Sequence, residues 1–376
     1  MRRINSLQIF VASILTLKNY SGIPIYIYNI LDNIDLNYRK LFKLVVPFEF
    51  DIPAPDFDNT YEFIELNARK TNSYINKFNR LKFRLLGQAS VSKINHYQPD
   101  VYWAPAFTVP RFLNKQVKVI PVIHDLIPLK YGNIFGSDVK FKFLKRQSMI
   151  STIKYSIKRA DKILTISESV ANELKDLFKI NKEIEIASPA YNKKLFKPIL
   201  NAKELFYQKY KIYDKFVLIG NMKSQRKNFE DVIDSFKRID TKGLLCVFGS
   251  LSKSQIELAN LRLGDKFKHL GYVDENDLPI IYSAANAFIA LSKAEGFDLP
   301  SLEARVCGTI VISSDIPVHH EVLENESEYF RIGDNDRLSR LIYDVLSADK
   351  TFISSKILNK YDWGKTADKT LKFLTS

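Results

Sequence analysis

From residue 215 to residue 313 the sequence alternates between short apolar runs and stretches whose apolar residues recur at helical spacing. Lys215-Phe-Val-Leu-Ile-Gly220 is an apolar run closed by glycine, the signal of a buried strand. Residues 228–239 then place Phe229, Val232, Ile233 and Phe236 on one helical face. The strand signal returns over 244–248, 266–273, 287–291 and 309–313, and the helical one over 252–261, 277–285 and 300–306. A helix between successive strands carries the chain back to its starting edge, so the strands run parallel and the sheet is covered on both faces.

The first half repeats the pattern less cleanly. Strands are expected over 7–12, 42–46, 100–103, 117–123 and 162–166, and helices over 25–31, 73–94, 139–159 and 168–178, the last capped by Ser167. Residues 188–199, with Pro189, Pro198 and little periodicity, form the best linker. A chain of 376 residues has room for two domains of about 100–150 residues or more each. The expected division is 1–195, 196–355 and a terminal helix within 356–376 that packs back on the first domain. With 46% hydrophobic and 26% charged residues, the composition excludes a disordered or fibrous chain. Cys246 and Cys307 are the only cysteines, too few for a disulfide framework or a cysteine zinc site, which fits a cytosolic protein. Met1-Arg2-Arg3 and the residues after it faintly imitate a signal peptide, but Asn5, Ser6, Gln8, Ser13 and Thr16 interrupt the apolar stretch and a buried first strand is expected. No run of about 18 apolar residues occurs, so no transmembrane helix is expected.

Several motifs fail on inspection. Gly364-Lys365-Thr366 resembles the end of a phosphate-binding P-loop, but position 359 is Asn where that loop needs Gly. Neither G-x-G-x-x-G nor G-x-S-x-G occurs. His319 and His320 are adjacent, so they cannot face one metal from one helix side, and no further ligand is placed beside them.

The sharpest feature is Glu295-Gly-Phe-Asp-Leu-Pro-Ser-Leu-Glu303. It follows the strand over 287–291 and enters a helix opened by Pro300, a residue favoured at the first helical position. Such a loop offers backbone N–H groups at a helix N-terminus to a phosphate, at the sheet edge where parallel-sheet proteins bind ligands. Glu295 lies on the loop. Glu303, expected in the first helical turn, could accept hydrogen bonds from a ribose. The plain alternative is that both acids complement the helix dipole.

Glu295, seven residues and Glu303, followed by Ala304 and Cys307-Gly-Thr-Ile-Val-Ile-Ser313, resemble the signature of the family 4 retaining glycosyltransferases. Arg226-Lys227-Asn228 resembles that family's donor-diphosphate clamp, and His124-Asp-Leu-Ile-Pro128 the segment whose histidine faces the donor sugar. Gly271-Tyr272-Val273 resembles the turn beside the nucleobase, and Ala160-Asp161 to Ser167 the last strand of the first domain. The likeness runs from about residue 100 onward. It implies an α/β protein of the GT-B fold: two Rossmann-like parallel-sheet domains facing each other across a cleft that holds the sugar nucleotide.

The same resemblance implies roles. His124 contacts the sugar, and Glu295 positions its ring and stabilises positive charge at the anomeric carbon. Arg226 and Lys227, expected to open the helix after the first strand of the second domain, balance the diphosphate as the glycosidic bond breaks. Backbone amides of Phe297, Asp298 and Leu299 bind the diphosphate, Tyr272 and Val273 lie beside the base, and Glu303 holds the ribose. The nucleotide-sugar is a substrate, and neither cofactor nor metal is implied. Transfer retains anomeric configuration by same-face attack. The His-Asp-Leu-Ile-Pro segment resembles mannosyltransferases, which favours GDP-mannose over UDP- and dTDP-sugars.

Three positions depart from the family pattern. Pro24 and Ile25 follow Gly22 where Gly and a basic residue are usual, which puts the phosphate and acceptor loop at Gly22 in question. Asp298 replaces a frequent Gly, and Asn221 stands where some relatives carry Arg. An alternative reading is therefore a catalytically weak GT-B subunit supporting a partner glycosyltransferase.

Lys and Arg number 56 against 42 Asp and Glu, a net charge of +14 that points to anionic partners. The stretch from Lys140 to Lys162 concentrates basic residues among apolar ones, a pattern that suits either a solvated face or docking on an anionic bilayer. The bilayer reading fits a lipid-linked glycan acceptor and a peripheral place on the inner face of the cytoplasmic membrane. No basic motif interleaved with aromatics supports nucleic-acid binding.

Overall fold

In the computed structural model the described residues are 7–12, 22–46, 60–65, 91–130, 139–349 and 355–376. The chain divides into two compact units, one of Met1–Leu129, Val139–Pro189 and Trp363–Ser376, the other of Lys130–Asp138 and Ala190–Asp362. The first unit thus closes at Pro189, inside the expected linker, and the Trp363–Thr375 helix belongs to it.

The first unit holds a parallel sheet of β1 (Ile9–Ala12), β2 (Phe42–Val46), β3 (Glu62–Glu65), β4 (Val101–Ala104), β5 (Lys118–Ile123), β6 (Ile163–Thr165) and β7 (Ile184–Ile186). Their order is β3-β2-β1-β4-β5-β6-β7. Both neighbours of β1 pair with it in parallel, so the chain leaves β1 in one direction and returns on its other side at β4. β4, and β5 from Val119 onward, carry unbroken buried apolar side chains because both sheet faces are covered. One core cluster gathers Phe10, Tyr102 and Val119, and another Ile123, Ile157, Val170 and Leu174. The Glu168–Phe178 helix starts at Ser167, whose Oγ accepts from the Val170 amide at 3.2 Å. Most of the helix expected over 73–94 falls outside the described residues; its last four positions are helical.

The expected turn at Gly22 is corrected. Gly22 is exposed and begins the Gly22–Asn33 helix, with Pro24 in its first turn where a missing N–H costs nothing. The residues preceding it, 13–21, lie outside the described set.

The second unit repeats the arrangement with β8 (Phe216–Gly220), β9 (Leu244–Phe248), β10 (Phe267–Gly271), β11 (Ala287–Ala290), β12 (Ile310–Ser314) and β13 (Ser327–Phe330), all parallel. Their order, β10-β9-β8-β11-β12-β13, is the dinucleotide-fold order, with its switch point between β8 and β11. The Phe229–Lys237 helix sets Val232, Ile233 and Phe236 against Val217, Ile219 and Val247 in one core. Ligands of such sheets bind at the carboxyl ends of the strands flanking the switch point. Here those ends lead into the loops at 221–228 and 291–298.

Candidate functional site

At the top of β8, Asn221 adopts a left-handed conformation (φ 54°) and its amide donates to Phe248 O at 2.9 Å. A 3-10 turn, Gln225–Lys227, follows, and Asn228 (φ 57°) separates it from the Phe229–Lys237 helix. Arg226 and Lys227 therefore sit in a turn ahead of the helix, not in its first turn as expected. The turn is tied to the loop after β11 by Lys293 N donating to Arg226 O and Arg226 Nη1 donating to Ala294 O, both 2.8 Å.

These bonds bring Arg226, Lys227 and Glu295 together. Glu295 Oε1 accepts from Lys227 Nζ and from Ser292 Oγ, both at 2.6 Å, and from Arg226 Nη1. Burial alone would raise the carboxyl's pKa, but Lys227 and then Arg226 outweigh it and hold the group below its usual range. Glu295 is thus an ionised acid in a nearly dry site, paired with both cations.

Asp298 is buried with φ 74°, a conformation that glycine takes freely, which accounts for the family's preference there. Its carboxylate accepts from Ser301 Oγ and lies 3.1 Å from His319 Nε2. Burial would raise its pKa, yet the adjacent His319 brings it down to about 2. A cavity lined by Gly220, Asn221, Lys227, Ser292, Asp298 and Pro300 opens between β8 and β11. The helix after the loop, Leu299–Val306, begins one residue before Pro300. Phe297 beside it is buried edge-on against Tyr361, ring centroids 5.1 Å apart.

Glu303 lies one turn into that helix, which corrects the first-turn expectation and removes the dipole explanation. Tyr282 OH donates to it at 3.4 Å, and burial followed by the nearby Glu275 raises its carboxyl to about 8. Gly271 (φ 70°) turns the chain after β10 so that Tyr272 stands 88% exposed while Val273 is buried.

His124 belongs to the first unit, directly after β5. It is buried, with Nε2 2.6 Å from Pro105 O, and burial lowers its pKa to about 4 against the opposing effect of that bond. The ring is therefore neutral near pH 7, and since a carbonyl can only accept, Nε2 carries the proton and Nδ1 the lone pair. The Tyr26 ring stands edge-on at 5.0 Å. Asp125 accepts from the Ile127 amide at 3.0 Å, a local turn bond.

Other sequence features take structural roles. Thr366 of the P-loop look-alike lies in the Trp363–Thr375 helix and donates to Ser188 O. His319 and His320 part ways, His320 pairing with Asp315 at 2.7 Å and stacking on Tyr329. In the Val139–Arg159 helix, Lys140, Lys142 and Lys145 fall outside the described side chains. Arg146 donates to Pro128 O and Leu129 O, and Arg159 to Asn114 O and Val117 O. Lys162 pairs with Glu183, and Lys154 and Lys158 are exposed. Among the described residues no helix is long and apolar enough to cross a membrane, and no cluster of three or more His, Cys, Asp or Glu residues is arranged to hold a metal ion.

His319, Ser292 and Ser301 escape sequence reasoning. The one available signal was Asp298 itself, an acid in a glycine position that demands a buried partner.

Known proteins resemble this chain over both units. A family profile described as Glycosyl transferases group 1 matches residues 202–361. The O-antigen chain mannosyltransferase RfbU of Salmonella typhimurium (strain LT2) is 31% identical over 269 residues, covering 65% of this chain and 70% of RfbU. The serotype-specific mannosyltransferase WbdA of Escherichia coli is 26% identical over 278 residues, 69% of this chain, which spans about a third (33%) of WbdA. Among solved structures, Anabaena HepE in complex with UDP and glucose superposes with a TM-score of 0.71 at 14% identity, over 98% of this chain and 100% of HepE, a likeness of fold.

Proposed function

The chain belongs to the group 1 glycosyltransferases, mannosyltransferase-like in sequence and GT-B in fold, and from that premise we propose that it moves mannose from GDP-mannose onto a growing lipid-linked surface glycan. The relatives' names, O-antigen and serotype-specific mannosyltransferases, support the sugar and the acceptor class. The observation that carries the reading is the meeting of Arg226, Lys227 and Glu295 at the β8–β11 switch point.

In this reading the donor diphosphate lies on the backbone amides of Phe297, Asp298 and Leu299 and draws Arg226 and Lys227 toward itself. Both cations stabilise the negative charge that grows on the leaving phosphate as the bond to the anomeric carbon breaks. Glu295, ionised, faces the positive charge left on the sugar and holds the ring. The acceptor hydroxyl attacks from the face the phosphate is leaving, its proton passes to a phosphate oxygen, and configuration is retained. Tyr272 and Val273 receive the base, and Glu303, protonated near pH 7, meets the ribose hydroxyls as donor and acceptor. Neutral His124 offers its Nδ1 lone pair to a sugar hydroxyl. The enzyme works at the cytoplasmic membrane face.

The test is Glu295→Ala, assayed in EDTA because the reading assigns the diphosphate's counter-charge to Arg226 and Lys227 and gives a metal ion no part. Turnover of GDP-mannose should fall by roughly a hundredfold or more, while GDP affinity stays level or tightens as both cations lose their partner. Retained turnover in the variant would refute the assignment.

A further inference from the structure

The loop after β11 carries an unusual charge balance. Arg226 and Lys227 supply two positive charges, and Glu295, paired with both, removes one. Asp298 adds a second negative charge to the wall of the same cavity, within the influence of Lys227. With these four alone the site would be neutral, a poor match for a diphosphate.

The fifth group is His319, fully buried in the Pro317–Leu323 helix. Its Nδ1 lies 2.8 Å from Ser314 O, a carbonyl that can only accept. The Ser314 hydroxyl is 3.2 Å from the same nitrogen, but its own proton points to Ser292 O at 2.6 Å. Nδ1 is therefore the donor. Nε2 faces Asp298 Oδ2 at 3.1 Å, an oxygen that also accepts from Ser301. Nε2 is out of line for a hydrogen bond to that oxygen, but with the single proton of a neutral ring on Nδ1 its lone pair would face a carboxylate at 3.1 Å, so the contact is attractive only when both nitrogens carry protons. No side chain at this pair is solvent-accessible enough for water to do the work, with 0% of His319 and 3% of Asp298 exposed.

We infer that His319 is a positioning residue for donor binding: its doubly protonated ring neutralises Asp298, turns that carboxylate into the protein, and leaves the loop the net positive charge a diphosphate requires. The inference rests on the reading that the donor diphosphate occupies this loop. It explains how an acid can replace glycine there: its carboxylate is balanced by a cation from the next helix, and the strain of its backbone is held by the bond from Ser301 and the charge contact with His319.

Two measurements test it. In 15N spectra of histidine-labelled protein, which has five histidines, the His319 signals are those lost in His319→Gln. Both its nitrogens should appear protonated at neutral pH, and Asp298→Gly should return the ring to a single-proton form. A neutral His319 ring in the unaltered protein overturns the inference whatever the affinities. Second, GDP, UDP and dTDP affinities are compared. His319→Gln keeps a donor but not the charge, so the dissociation constant of the preferred nucleotide should rise about tenfold or more. Adding Asp298→Gly to His319→Gln removes the unbalanced charge and should recover most of that loss. Unchanged affinity in His319→Gln, or a double variant no better than the single one, overturns it. A doubly protonated ring in a protein that binds none of the three nucleotides overturns the donor role, and with it the proposed function, while leaving the ion pair in place.

Discussion

At the scale of residues, Glu303 is a carboxyl whose charge near neutral pH is altered by folding. Its carboxyl titrates near 8 in the folded chain against an ordinary value of 4.5, because burial and Glu275 disfavour its charge. The folded state therefore holds one proton more than the unfolded chain between those pH values, and this group's contribution to stability falls as pH rises from about 4.5 to 8. Glu303→Gln abolishes the titration, so melting temperatures of the two proteins should diverge in the variant's favour from pH 5 to pH 8.5. Parallel curves would refute the raised pKa. The gathering of Glu303, Glu295, Arg226 and Lys227 near one edge of the second sheet is legible in the sequence from motif spacing and strand order. Their pairing is not. Nothing in the spacing says that one oxygen of Glu295 takes both cations, or that the Asp298 carboxylate meets a histidine from a helix that starts at Pro317.

At the scale of elements, the loops above β8 and β9 are built on each other. Gly249 (φ 81°) follows β9, and a Cβ there would lie 2.1 Å from Asn221 Oδ1. Gly249→Ala should therefore disturb the left-handed Asn221 and cost about 1–3 kcal/mol in urea unfolding, with weakened nucleotide binding at the neighbouring cavity. The buried central strands were readable as apolar runs, and β2 and β9 match their expected bounds. The edge strand β10 was readable within 266–273, but the edge strands β7 and β13 were not. β7 is Ile-Glu-Ile and only half-buried, and β13 is Ser-Glu-Tyr-Phe, so neither offers a continuous apolar signal. The Asn335–Ser347 helix is a different case, since Leu338, Leu341, Ile342 and Leu346 recur at helical spacing and are all buried. Exposed Lys154 and Lys158 remain to test the basic helix. Their reversal to Glu should reduce binding to phosphatidylglycerol vesicles about thirtyfold or more, at ~1 kcal/mol per surface charge, and unchanged binding would dismiss membrane docking by that face.

At the scale of the whole molecule, the first unit is assembled from distant parts of the chain. The Trp363–Thr375 helix packs on the Gly22–Asn33 helix, with Trp363 against Tyr26 at 6.0 Å. Tyr26 OH donates to Ala187 O at 3.0 Å, Lys118 Nζ reaches Ser376 O, and Lys162 lies over the Phe373 ring. Trp363→Ala should lower stability by about 3–5 kcal/mol, measured by urea unfolding, and move the His124 resonances through Tyr26, which touches both rings. The order of synthesis gives this arrangement a consequence. The ribosome delivers residues 190–362, nearly the whole second unit, before the helix that completes the first. At about 5–20 residues per second, the first unit waits on the order of ten seconds or more with an apolar face uncovered. In the cell, that interval is when the nascent chain most needs a chaperone, and a chain cut short before Trp363 would carry an intact second unit and an unfinished first.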